Sequence, residues 1–149
     1  MISSVFIIAV SALLLAYWFR YTCLLILRSN TAKDYAASAA TANGFTFGEV
    51  RSKLLEEAPL ESLPALRKSL ERDYRLLTYI LAHTSGLEVK GITLEQRMLM
   101  LDFKAMRLVS ALGRWVGAER ARAALLEMAG ILTHLAGAMG SRAASASRA

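Results

Sequence analysis

The chain has 149 residues, 55% of them hydrophobic, and carries 18 Lys and Arg against 12 Asp and Glu for a formal net charge of +6. That length leaves room for one domain plus an appendage, and a single cysteine excludes an intramolecular disulfide. Cys and His are too sparse to cluster into a zinc site, and the apolar fraction exceeds what a soluble domain of this size usually needs.

The apolar excess lies at the front. Met1 to Phe19 holds no charged side chain, and at 1.5 Å per residue it gives a helix of roughly 28 Å, close to the hydrocarbon thickness of a bilayer. A cleaved signal peptide would begin with basic residues, and Met1 to Ser4 has none. The nearest small-x-small site, Ala37-Ser38-Ala39, lies beyond several charges. A retained single transmembrane anchor over residues 1–28 is the expectation, with the lipid bilayer as partner. Arg20, Arg28 and Lys33 follow the run and no basic side chain precedes it. The positive side tends to stay in the cytoplasm, so the N-terminus is expected outside an inner (plasma) membrane and the rest inside.

Tyr17, Trp18 and Tyr21 surround Arg20, and such rings favour the headgroup level. These four residues are read as a membrane-interface set, with the Arg20 guanidinium snorkelling to lipid phosphates. The apolar Leu24 to Leu27 either stay in the boundary layer of a tilted helix, the simpler account, or dock on the soluble part. Ala9, Ala12 and Ala16 share a helical face that Arg20 and Cys23 continue. It is a candidate transmembrane-helix contact where an acidic partner could meet the arginine, although alanine is common in such helices without any contact. Cys23 suits acylation or, more simply, small apolar packing.

Residues 29–46 are rich in Ala, Ser, Thr and Asn, and no apolar stripe runs through them. Alanine favours helix and Thr31 with Asp34 resembles a helix start, while Asn43-Gly44 reads as a turn, so the segment reads as a spacer or a weakly helical extension of the anchor. Helical segments follow. Thr46 to Glu49 has capping-box spacing and opens a short helix with Val50, Leu54 and Leu55 on its apolar side; Pro59 ends it. Ser62-Leu63-Pro64 opens the next, along which Leu63, Leu66, Leu70, Tyr74, Leu77 and Leu81 repeat with helical period, and Gly86 is its expected stop. Thr93 to Gln96 is a second capping box, followed by a stripe of Leu94, Met98, Leu101, Ala105, Leu108, Leu112 and Val116. After Gly117, Ala121, Leu125, Met128, Leu132, Leu135 and Met139 trace the last helix, ended by Gly140. The fold class is therefore all-α: an anchor, then a small antiparallel helical bundle over 47–139, then a mobile basic tail over 140–149.

The helix beginning at Thr93 carries a second apolar set, Leu99, Phe103 and Met106, roughly opposite its long stripe. A helix apolar on two sides must be covered on both. Either it lies at the centre of the bundle, or Leu99, Phe103 and Met106 form a partner-binding face. His83 near a helix end reads as ordinary capping, and His134 as a surface residue on the polar side of the last helix, sharing a face with Glu127 and Arg120. A helix-turn-helix spacing runs loosely from Leu112 to Leu126 with Arg120 and Arg122 in the reading position, but Ala121, Ala124 and Leu125 beside them argue against nucleic acid. Basic residues interleaved with acids, as in "RKSLERDYR", read as a solvated face. No phosphate loop or nucleophile elbow is present. The expectation is a non-enzymatic interaction module, without cofactor or metal, that docks an unknown protein partner or self-associates at the membrane surface. The alternative is an accessory subunit of a larger membrane complex, recognised through its transmembrane helix.

Overall fold

The computed structural model describes residues 1–28, 33–84 and 92–148. Among the described residues all regular structure is helical: α1 (Ile2–Arg28), α2 (Lys33–Asn43), α3 (Phe47–Leu55), a 3-10 turn (Leu60–Ser62), α4 (Leu63–Thr84), α5 (Leu94–Ala111), the short α6 (Gly113–Val116) and α7 (Ala118–Arg148). Thr31 and Gly86, the expected start and stop signals, lie outside the described residues.

The core is organised on α7, against which α2, α3, α4 and α5 all pack. Leu125, Met128, Ile131, Leu132 and Leu135 are fully buried. They fall on more than one side of the helix, which is what a helix with neighbours all round requires. The central position considered for the helix after Thr93 therefore belongs to α7. On α4 the stripe read from spacing faces inward: Leu70, Leu77 and Leu81 are fully buried, with Leu63 and Leu66 nearly so. Each such leucine contributes about 1.5–3 kcal/mol by leaving water. On α3 the buried side is Phe47, Val50 and Leu54, and Leu55 faces out.

Of the two expected capping boxes, one forms. Thr93 Oγ1 accepts the Gln96 backbone N–H at 3.3 Å, and Gln96 Oε1 accepts the Thr93 N–H at 3.2 Å. Thr46 makes no such side-chain cap. Its N–H and hydroxyl instead donate to Asp73 Oδ2 of α4, at 2.7 Å and 3.1 Å. A carboxylate from another helix thus does the work that the local sequence was expected to do. Asp73 is 1% exposed, and Asp73→Ala leaves both donors of the half-buried Thr46 without their partner. It should lower the unfolding free energy by about 1–3 kcal/mol, read from urea titration of the full chain in detergent.

The segment read as a spacer or weakly helical extension is a helix, α2, that packs into the fold. Ala36 and Ala39 of α2 are buried against α7, and the approach is close: a Cβ on Gly140 would lie 2.8 Å from the Tyr35 carbonyl oxygen. Small residues on both helices supply the contact, which is why no large apolar stripe marks α2. Gly140 accordingly does not end the last helix. It sits inside α7 at the crossing, and the helix continues to Arg148 where a mobile tail was expected. Gly140→Ala should cost about 1–3 kcal/mol through forced displacement. Gly130→Ala, in the same helix with open space around it, should be neutral or stabilising by up to ~1 kcal/mol; thermal melts of the two variants check the contrast. Gly117, at φ 97°, separates α6 from α7 in a conformation that side chains disfavour.

Candidate functional site

α1 divides into two parts. From Ile2 to Trp18 every side chain is exposed, including Phe6 at 68%, Leu13 at 70% and Trp18 at 67%. From Phe19 onward one face is covered: Cys23 is fully buried, and Phe19, Ile26 and Leu27 pack against the core. These repeat at helical spacing, while Leu24 and Leu25 between them remain exposed. The docking account of Leu24–Leu27 therefore holds for Ile26 and Leu27, and tilt alone does not describe this end. Burial also encloses the Cys23 thiol, whose Sγ lies 4.0 Å from the Met98 carbonyl oxygen, as expected for packing rather than for acylation.

Arg20 fixes this end of α1 to the other helices. Its Nη1 donates to Asp102 Oδ1 of α5 at 2.7 Å and also meets Glu127 Oε1. Its Nη2 donates to Glu127 Oε2 of α7 at 2.9 Å. The paired contact with Glu127 is the forked geometry that favours arginine over lysine. Arg20 thus satisfies carboxylates of its own chain, which corrects its expected role as a residue reaching for lipid phosphates. Tyr17, Trp18 and Tyr21 are exposed, and Tyr17 and Tyr21 stack with centroids 6.4 Å apart. Ala9, Ala12 and Ala16 lie on the uncovered stretch.

The junction carries two carboxylates against one guanidinium. Asp102 is fully buried, and its Oδ2 has no hydrogen-bond partner among the described residues. Burial, then the adjacent Glu127, push its pKa up to about 7 against the pull of Arg20. Sequence reading missed this cluster because the pairs are 82 and 107 residues apart. The one local signal was an arginine in an apolar run.

α5 reverses the expected assignment of its faces. Leu99, Phe103 and Met106 are 0%, 1% and 8% exposed, so they are core and not an open partner-binding surface. Phe103 stacks on Tyr74 of α4 at 4.1 Å with the rings nearly parallel. The longer stripe is the open one: Leu94, Leu101, Leu108 and Leu112 are exposed at 75%, 58%, 60% and 52%, and Trp115 just beyond them at 89%. Arg97, Lys104 and Arg107 are exposed on the flank.

Elsewhere, His83 Nδ1 lies 2.8 Å from the Tyr79 carbonyl oxygen, as a capping residue should. His134 is less exposed than expected, its side chain 15% accessible, with Nε2 3.0 Å from Glu95 Oε1. Arg122, in the position of a would-be reading helix, donates to the Ala58 carbonyl oxygen at 3.1 Å and so is engaged within the fold. The chain matches no protein-family model, no curated protein and no solved structure. Two helices, Ile2–Arg28 and Ala118–Arg148, are long and apolar enough to cross a membrane, and half of the apolar window in the second is buried by other helices.

Proposed function

We propose that this chain is a single-pass membrane-anchored helical module. In this reading the N-terminal part of α1 spans an inner (plasma) membrane with its end outside, and a small antiparallel bundle in the cytoplasm holds a partner or a second copy at the membrane surface. The observation that carries it is the contrast along α1: an uncovered apolar stretch from Ile2 to Trp18, then a docked end held by Arg20. Seventeen exposed, mostly apolar residues in water would be an aggregation hazard; in lipid that hazard is absent. Confinement to two dimensions raises the effective concentration of whatever the module binds.

The accessory-subunit alternative loses support. Its recognition face was to combine Ala9, Ala12 and Ala16 with Arg20, and Arg20 is already paired within the chain. The test replaces residues 2–18 by an unrelated apolar helix and keeps Phe19–Arg28. Membrane localisation and association should both persist. Loss of association with localisation intact would favour recognition through the transmembrane face.

A further inference from the structure

The geometry points to a second membrane contact: the corner between α5 and α6, bearing Trp115, rests in the boundary layer of the leaflet that the apolar part of α1 enters. This rests on the anchored reading above and adds an attachment separate from the anchor, one that fixes how the bundle is turned about α1.

Direction places the corner there. Arg20 of α1 meets Asp102 of α5, and Cys23, three residues further on, meets Met98, four residues earlier. These near-equal steps mean that α5 runs back along α1, toward the bare stretch that ends at Trp18. α7 in turn runs antiparallel to α5: Glu127 shares Arg20 with Asp102, and His134 meets Glu95. At the other end a Cβ on Gly113 would lie 3.2 Å from the Ala121 Cβ. The end of α5, α6 and the start of α7 therefore lie together, on the side of Arg20 from which the apolar part of α1 departs. From Asp102 to Leu112 α5 advances ten residues, roughly 15 Å at 1.5 Å per residue. Trp18 stands only two residues beyond Arg20 on α1, so the corner reaches the level of the bilayer.

Composition suits that place. Trp115 is 89% exposed, with Leu112 and Leu108 at 52% and 60%. The Trp115 N–H bonds the Leu112 carbonyl oxygen, and the spacing of four and three residues sets all three on one side. An indole has an apolar face and an N–H that needs a polar partner, which is why tryptophan favours the boundary of acyl chains and headgroups. Lys104 and Arg107 are exposed one to two turns back from this tip, where the phosphates lie when the tip is among acyl chains. No acidic residue stands between Asp102 and Glu119, so the corner complements anionic headgroups. Leu94 and Leu101 lie at or behind the level of Arg20 and take no part.

The chain has two tryptophans, so each can be read alone. Full-length Trp18→Phe is reconstituted into vesicles of phosphatidylcholine and phosphatidylglycerol whose acyl chains carry bromine near the headgroup. Trp115 emission should be at least ~2-fold lower than in the same vesicles without bromine, as for an indole seated at the interface. Adding Lys104→Glu and Arg107→Glu should weaken the quenching while helicity by circular dichroism is retained; unchanged quenching would contradict the headgroup pairing. Full-length Trp115→Phe reads Trp18, and with it the anchor. Trp115 unquenched by bromolipid while Trp18 is quenched would overturn the corner contact and leave the anchor standing. Protection of Trp115 from both bromolipid and aqueous acrylamide would overturn it as well, in favour of a second copy covering the ring. Absence of quenching at both tryptophans would overturn the anchor, and the corner contact with it.

Discussion

Phe103→Ala should lower the unfolding free energy of the full chain by about 3–5 kcal/mol, the usual cost of removing a buried aromatic side chain. The ring is 1% exposed and stacked on Tyr74, and such a stack adds about 0.5–1.5 kcal/mol beyond burial. Leu101→Ala, two residues away, should change stability by less than ~0.5 kcal/mol in monomeric detergent-solubilised protein, because exposed positions carry little of the fold. Urea titrations followed by far-ultraviolet circular dichroism distinguish the two. The reverse order would mean that α5 is turned by about half a revolution from the arrangement described, and would reinstate Leu99, Phe103 and Met106 as a surface.

Arg20→Met is the second large effect expected. It leaves Asp102 and Glu127 facing each other beneath the end of α1, and removing one member of a buried charged cluster costs about 3–5 kcal/mol in well-enclosed cases. Partial exposure of the Arg20 side chain, 36%, places the expectation at the lower end. The pH dependence has a definite sign. Asp102 is raised from 3.8 to about 7 in the folded chain, so its contribution is fully present below the unfolded value and is lost as pH rises through about 7. Melting temperature should therefore fall across that window. Arg20→Met should steepen the fall, since the cation that helps hold the ionised form is gone, and Asp102→Asn should flatten it. A profile unchanged by Asp102→Asn would remove Asp102 as the titrating group.

Helical period made α4 and α7 legible, because Leu70, Leu77, Leu81, Leu125, Leu132 and Leu135 are large apolar residues at three- and four-residue spacing, and burial leaves such residues few alternatives. The same rule failed on α5. Two apolar faces satisfied it, and the longer one looked like the core. Packing chose the shorter one, where Phe103 and Met106 fill volume beside α4 and α7. α2 was illegible for the opposite reason: its contact with α7 uses Ala36, Ala39 and Gly140, and close approach through small residues leaves no hydrophobic stripe to detect. Thr46 shows a third limit. Its local pattern matched a capping box, but Asp73 from α4 took the available donors, a choice made in three dimensions. The same holds for Arg20, whose partners lie in two other helices.

The proposed membrane anchor underlies all of the functional reading, and alkaline carbonate extraction of native membranes, with mass measurement of the intact chain, tests it most directly. The expected result is retention in the membrane pellet as a chain that still contains Ile2 to Phe19. Release into the supernatant, or a mature chain beginning near residue 40, would contradict it.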